Sequence, residues 1–170
     1  MLTVKVNADG LIRSLTNLQQ KFAEESYDAV ARTAQELTSD IIVKTLGEAP
    51  PPLPTRYRRT YRFVRGWAAA ADLFGLYMPT LRPRRIGDYA ITPDGVGTAL
   101  LGSNESGAYF RAENKVPYAY EIEHLGTWKN AELEFRGGYD IVGSTMREMK
   151  SENKFPKYVR EAWTLAKNAA

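Results

Sequence analysis

Apolar side chains recur at helical spacing through the first third of the chain. The stretch from Asp9 to Pro54 predicts one long helix followed by an abrupt stop. Asp9 suits the N-cap, and Gly47 with the prolines that follow it ends the helix. The apolar positions are separated by three, four or seven residues and share one face. They are Leu11, Leu15, Leu18, Phe22, Ala29 or Val30, Leu37 and Ile41.

This helix is long for the size of the chain. About 36 residues at ~1.5 Å per residue give a rod of roughly 54 Å. The whole chain has 170 residues. Because helices gain most of their stability by packing an apolar face, this stripe needs a sheet or a neighbouring subunit to cover it.

The segments flanking the helix predict shorter elements. Alternating apolar and polar residues indicate an edge strand at Met1 to Val6 and a strand at Thr60 to Arg65. Ala68 to Leu76 has the composition of a two-turn helix. Met78 to Gly87, which contains two prolines, predicts an exposed loop.

The second half of the chain predicts an antiparallel meander. Pro93-Asp94-Gly95 suits a tight hairpin turn, and Gly102 to Gly107 suits a second turn. Ser144 to Met149 indicates a helical turn, and Phe155 to Ala169 predicts a closing helix. Four strands are predicted, at Asp88–Thr92, Val96–Gly102, Ala108–Glu113 and Val116–Ile122.

These elements predict an α+β fold. The long N-terminal amphipathic helix and a short C-terminal helix pack on an antiparallel sheet of about four strands. The chain is expected to form a single domain over residues 1–170, with an extended arginine-rich arm or loop at about 50–87.

The composition is that of an ordinary globular protein. Hydrophobic residues make up 44% of the chain and charged residues 25%, which is enough for a packed core. No apolar run approaches the ~18 residues of a membrane span, and the first residues do not resemble a secretory signal. The absence of cysteine excludes disulfides, thiol catalysis and cysteine-ligated metals.

Positive charge is concentrated in the middle of the chain. The net charge of the chain is +3, yet residues 51–86 carry eight arginines against the single acidic residue Asp72. Arginine is the cation best suited to planar contacts with phosphate, carboxylate or aromatic faces. The eight candidates for contact with a partner or with DNA are Arg56, Arg58, Arg59, Arg62, Arg65, Arg82, Arg84 and Arg85.

The arginine segment has two interpretations. Tyrosines lie among the arginines, so the segment could bind nucleic acid by phosphate contact and base stacking, without reading sequence. Alternatively, the segment is an interaction arm whose arginines pair with acidic neighbours and whose aromatic side chains bury against the sheet. No helix-turn-helix, zinc-finger or RNA-recognition motif is present.

The sequence offers little for catalysis. The single histidine, His124, follows Glu121 and Glu123, a group that suggests a metal site or an acid–base pair. In a strand, however, the two glutamates share one face and His124 points to the other, and a third ligand is missing. No nucleophile elbow, phosphate loop or dinucleotide fingerprint occurs. We therefore predict no catalytic residue, metal site or cofactor.

Several weak motifs occur in a defined order along the chain. The long helix ends at Ala49-Pro50, and the basic segment Arg56 to Arg65 follows. Later motifs are Tyr118-Ala119, Glu123, Gly126-Thr127 and Phe155-Pro156 at the start of the closing helix. In this order the chain resembles the minor tail or tail-completion proteins of tailed phages, which join head and tail at the neck. It departs from their pattern at Pro54 to Tyr57 and by the apparent insertion of Leu125.

The resemblance implies a structural role in the virion rather than an enzyme. Such proteins assemble in the host cytoplasm as homo-oligomeric rings, commonly hexamers, with DNA passing through the lumen. The implied partners are a head-side adaptor or portal assembly and a tail terminator or tail tube protein, with sequence-blind DNA contact and no membrane. The family motif residues carried over are Tyr118, Ala119, Glu123, Gly126 and Thr127. The alternative function is a basic nucleic-acid-binding protein that uses the arginine and aromatic segment 56–85.

Overall fold

The computed structural model confirms the predicted α+β class: helices pack on a four-stranded antiparallel sheet. The structure describes residues 8–47, 61–78, 83–87, 89–104, 107–125, 129–130, 133–134 and 139–169. The predicted strand at Met1 to Val6 lies outside these residues.

Five α-helices occur in the described residues. The first, α1, has 40 residues, so the predicted long helix is confirmed. The short helices α2 and α3 follow it, and α4 and α5 close the chain. Their bounds are α1 Ala8–Gly47, α2 Arg62–Arg65, α3 Ala68–Leu73, α4 Ile141–Ser151 and α5 Lys154–Ala169.

The main sheet is a meander with its strands in chain order. Its strands are β1 Arg84–Ile86, β2 Tyr89–Ile91, β3 Gly97–Asn104 and β4 Gly107–Asn114. The predicted turn joins β2 to β3, and Gly95 adopts a φ of 68° there and donates its N–H to the Thr92 carbonyl. Two further short strands, β5 Lys129–Asn130 and β6 Leu133–Glu134, pair with each other.

The size of the side chains on α3 determines how closely this helix packs on the sheet. α3 lies against β2 and β3, and the contact is made by alanines on both elements, including Ala69, Ala70 and Ala99. Small side chains allow this close approach. α1 packs against β4 and α4, and it runs antiparallel to α5 along most of the length of α5.

A second cluster joins α1 to the end of the chain. Ile41, Phe63, Ile122 and Ile141 are buried together, and Leu37 packs against them. The C-terminal half of α1 is therefore held by α2, α4 and the segment before α4.

The structure corrects three sequence predictions. Thr60 to Arg65 is not a strand over its described part: residues 62–65 form α2, and adjacent Phe63 and Val64 are both buried instead of alternating as in a strand with one buried face. Within the predicted loop Met78 to Gly87, residues 84–86 form β1 by pairing with β2. Val116 to Ile122 forms turns followed by a π-helical turn at Glu121–Leu125, because Pro117 lacks the N–H that a sheet ladder requires.

The arginine-rich segment at about 50–87, predicted as an extended arm or loop, contains two of these helices. In its described part, residues 62–65 and 68–73 are helical, and α3 is buried against the sheet. Within this described part, α3 belongs to the core, whereas β1 is exposed.

Candidate assembly surface

The two described arginines of α2 lie beside buried apolar residues. Phe63 and Val64 face the core, and Arg62 is exposed while Arg65 is half-buried. The Arg65 guanidinium lies 2.7 Å from the Asp94 carboxylate, in the β2–β3 turn. This ion pair joins α2 to the hairpin and neutralises one of the predicted contact residues.

The other two described arginines lie on the edge strand β1. Arg85 pairs with Asp72 in the last turn of α3, and this bond ties β1 to α3. Arg84 is exposed and makes no ion pair with any described residue. The edge also presents Ile86, of which 64% is exposed, and the nearby Tyr77 is 88% exposed.

The ion pairs change the electrostatic interpretation of the arginine segment. Two of the four described arginines, Arg65 and Arg85, have carboxylate partners in the same chain. Arg62 also has an interaction within the chain. Four of the predicted arginines fall outside the described residues; they are Arg56, Arg58, Arg59 and Arg82. The described part of the segment therefore carries less uncompensated positive charge than the sequence suggests.

Glu123 takes a structural role that links distant parts of the chain. Its carboxylate is buried, and Oε1 accepts a hydrogen bond of 2.6 Å from the Val142 N–H, with a longer one from Gly143. These donors belong to the first turn of α4, whose N-terminus otherwise has no side-chain cap. A carboxylate at this position also interacts favourably with the helix dipole.

The backbone reinforces this contact between the π-helical turn and α4. The N–H groups of Tyr139 and Asp140 donate to the carbonyls of Ile122 and Glu123, each at 3.0 Å. Tyr118 and Ala119 pack against the core cluster just before this turn. The other two family motif residues, at 126 and 127, lie outside the described residues.

A Glu123→Ala variant is expected to lower the free energy of unfolding by about 1–2 kcal/mol, since it removes the cap of α4. Glu123→Gln is the matched control: its amide oxygen can still accept the Val142 N–H, so the loss should be smaller. Chemical denaturation followed by circular dichroism measures both. Equal stability of wild type and Glu123→Ala would show that this cap contributes nothing.

His124 does not converge with the glutamates beside it. Its ring is exposed and lies 4.7 Å from the ring of Tyr120, whereas Glu123 points towards α4. Among the described residues, no group of three or more histidine, aspartate or glutamate side chains is arranged to hold a metal ion. The described geometry gives His124 no partner for acid–base chemistry with Glu123.

A hydrogen bond and an ion pair hold α5 against α1. The Tyr158 hydroxyl donates to the Glu36 carboxylate, and Lys154 lies 3.3 Å from the same carboxylate. The hydrogen bond from Tyr158 lowers the pKa of Glu36, and the nearby Lys154 lowers it to a smaller extent. The hydrogen bond to Glu36 raises the pKa of Tyr158. Farther along, the rings of Phe22 and Trp163 meet edge to face at 5.2 Å.

Between Phe22 and its N-terminus, α1 exposes most of its described side chains. We call Gly10–Gln20 the overhang. All its described side chains are exposed except that of half-buried Leu18. Ile12 is 59% exposed and Leu15 is 56% exposed, although both are large and apolar.

No protein-family model matches the chain, and no curated protein or solved structure matches it either. Among the helices of the described residues, none has both the length and the apolar character that a bilayer-spanning segment needs.

Sequence reasoning missed the features that organise this surface. Asp72 and Asp94 carried no signal as partners of arginine, because they are 13 residues from Arg85 and 29 from Arg65 in the chain and only the fold brings them together. Glu123 was singled out by the motif, but not as a helix cap. The apolar stripe of α1 was predicted from the sequence, but the sequence pattern did not show which part of the stripe packs against other elements and which part is exposed.

Proposed function

We propose that this protein is a structural protein of a tailed-phage virion. It forms a homo-oligomeric ring at the head–tail junction or at the top of the tail tube, completes the tail, and connects it to the head. DNA passes through the lumen of the ring, and the neighbours are a head-side adaptor or portal assembly and a tail terminator or tail tube protein. The ordered motifs and the order of elements, from long helix through antiparallel sheet to closing helix, support this role.

The contacts of the described arginines favour a structural protein over a nucleic-acid-binding protein. A surface that binds phosphates holds its cations free to replace counterions. Here Arg65 and Arg85 are engaged by Asp94 and Asp72, and α2 and α3 are part of the core. These arginines stabilise the subunit, which favours a structural role.

Native mass spectrometry of the purified protein, with negative-stain images of the same sample, tests the proposal. The expected result is a closed multimer, with six copies as the number that the resemblance implies. Binding of duplex DNA, measured by fluorescence anisotropy at several salt concentrations, should be weak.

A contrary result is equally well defined. A strict monomer that binds DNA with a steep salt dependence would favour the nucleic-acid-binding interpretation. Loss of that binding in an Arg62→Ala, Arg84→Ala double variant would assign it to the described arginines. Arg111→Ala is the control: like Arg84, Arg111 is an exposed arginine on a strand, but it lies on β4, outside the basic segment, and pairs with Glu113.

A further inference from the structure

The overhang presents an apolar surface that continues an existing helix contact. The stripe of α1 packs against α5 as far as the Phe22 and Trp163 rings. It then continues through half-buried Leu18 to exposed Leu15 and Ile12. Large apolar groups exposed in a row beside a packed interface mark a site of contact with another molecule.

Two segments that contain undescribed residues are too short to cover this surface. Residues 48–60 begin at Gly47, about 48 Å along the helix from Leu15 at ~1.5 Å per residue. Residues 126–138 begin and end near the cluster around Ile41, about 39 Å from Leu15 by the same rise. A segment of this length that must return to its origin reaches at most about 22 Å. Residues 1–7 adjoin the overhang in the sequence, and the experiment below separates them from a second molecule.

The composition of the overhang favours a protein partner. Among its described side chains only Arg13 is charged, and the polar positions are serine, threonine, asparagine and glutamine. A helix that lies on a membrane surface is rich in lysine and arginine on its polar face. A helix that binds nucleic acid needs several cations. Depletion of charge around large apolar residues is typical of the centre of a protein interface.

We propose that the overhang packs against a second copy of this chain in an antiparallel arrangement. Within one copy, α5 packs against the rest of α1 in the same way. This inference rests on the proposed function, because the ring supplies the neighbouring copy. A second copy also offers an apolar surface: α5 exposes about half of Leu165 and about half of Trp163, whose ring meets that of Phe22, two residues from the overhang. The proposed contact of the overhang with a second copy thus extends the apolar contact that α1 makes with α5 within one copy.

The size of the overhang sets the strength of this contact. Eleven residues at ~1.5 Å per residue give an overlap about 16 Å long, and a helix is about 10 Å wide. This area is well below the ~800 Å² per partner of a stable complex. One such contact is therefore weak and depends on protein concentration, and it gains strength in a ring because every subunit repeats it.

Sedimentation velocity over a range of concentrations up to about 0.5 mM tests the contact by mass action. Wild type is expected to associate, and Leu15→Asp is expected to weaken association by about tenfold or more. Val43→Asp is the matched control, because Val43 lies on the same helix and is 65% exposed but is outside the overhang. Since Leu15 and Val43 are both exposed, both variants should keep the thermal stability of wild type.

A labelling experiment tests the same surface without a charge. The chain has no cysteine, so a single cysteine introduced by Ile12→Cys or Val43→Cys is the only reactive thiol. We expect the thiol at position 12 to react more slowly as protein concentration rises, and the thiol at 43 to react at a constant rate. Protection at 12 that does not depend on concentration would assign the cover to residues 1–7 and overturn the proposal.

The two proposals can fail separately. A closed ring whose mass and abundance are unchanged in Leu15→Asp would overturn the overhang contact and leave the ring in place. Association through the overhang that never closes into a ring would support the contact and contradict the proposed function. A wild-type chain that remains monomeric over the whole concentration range would overturn the overhang contact.

Discussion

A Gly97→Ala variant is expected to lose about 3 kcal/mol of folding free energy, at the upper end of the usual cost of overpacking. Gly97 begins β3, and a Cβ atom built on it would lie 2.1 Å from the Gly66 carbonyl oxygen and 2.8 Å from the Gly66 carbonyl carbon. Both are backbone atoms, so no side-chain rotation relieves the clash. The turn between α2 and α3 would have to move away from the sheet that it packs against.

Two other glycines provide graded controls for this effect. Gly47→Ala should cost nothing, because a Cβ there meets no atom within 4 Å. Gly66→Ala should fall between the two, since the three atoms nearest to its Cβ all belong to the side chain of Asn114. Moving that side chain breaks its hydrogen bond to the Phe63 carbonyl, which is 2.8 Å long. Urea denaturation of the three variants gives the order, and equal stability of Gly97→Ala and Gly47→Ala would refute the close approach.

The second large effect is expected from Leu37→Asp. Leu37 packs against the buried cluster of Ile41, Phe63, Ile122 and Ile141. A carboxylate there has no cationic partner within that apolar cluster, and an unpaired charge in an apolar site is costly. We expect a loss of about 4 kcal/mol, which is most of the stability of a domain at the lower end of the usual range of about 5–15 kcal/mol.

Leu18→Asp is the matched variant, because it makes the same substitution on the same helix. Leu18 and Leu37 are both half-buried, but Leu37 packs on the buried core cluster whereas Leu18 lies in the overhang, so the expected loss for Leu18→Asp is about 1 kcal/mol or less. Thermal melts followed by circular dichroism compare the two. Equal losses would mean that the overhang is covered within the single chain, contrary to its exposure.

Several elements could be predicted from sequence because their signals are local. The period of the apolar residues determined α1 from Ala8 to Gly47, and the same reasoning placed α5 within a residue of its start. Pro93 and Gly95 fixed the hairpin between β2 and β3, since a tight turn requires the backbone angles that these residues favour. Together these elements were sufficient for the α+β class.

Other elements depended on contacts between distant residues. The strand β1 has three residues, too few for a detectable period, and it exists because it pairs with β2. The fourth predicted strand, Val116 to Ile122, had suitable residues, but the chain there turns and caps α4 through Glu123. A four-residue helix such as α2 cannot be distinguished from a strand by its pattern alone.

The sequence by itself determined that a long apolar stripe exists, that the chain lacks cysteine, and that positive charge gathers between residues 51 and 86. Only the tertiary structure decided what these features contact. It places Asp72 and Asp94 against two of the arginines. It also packs α5 on α1 as far as Phe22 and leaves Leu15 exposed. Helical periodicity is a property of neighbouring residues, whereas ion pairing and burial depend on which distant segments meet.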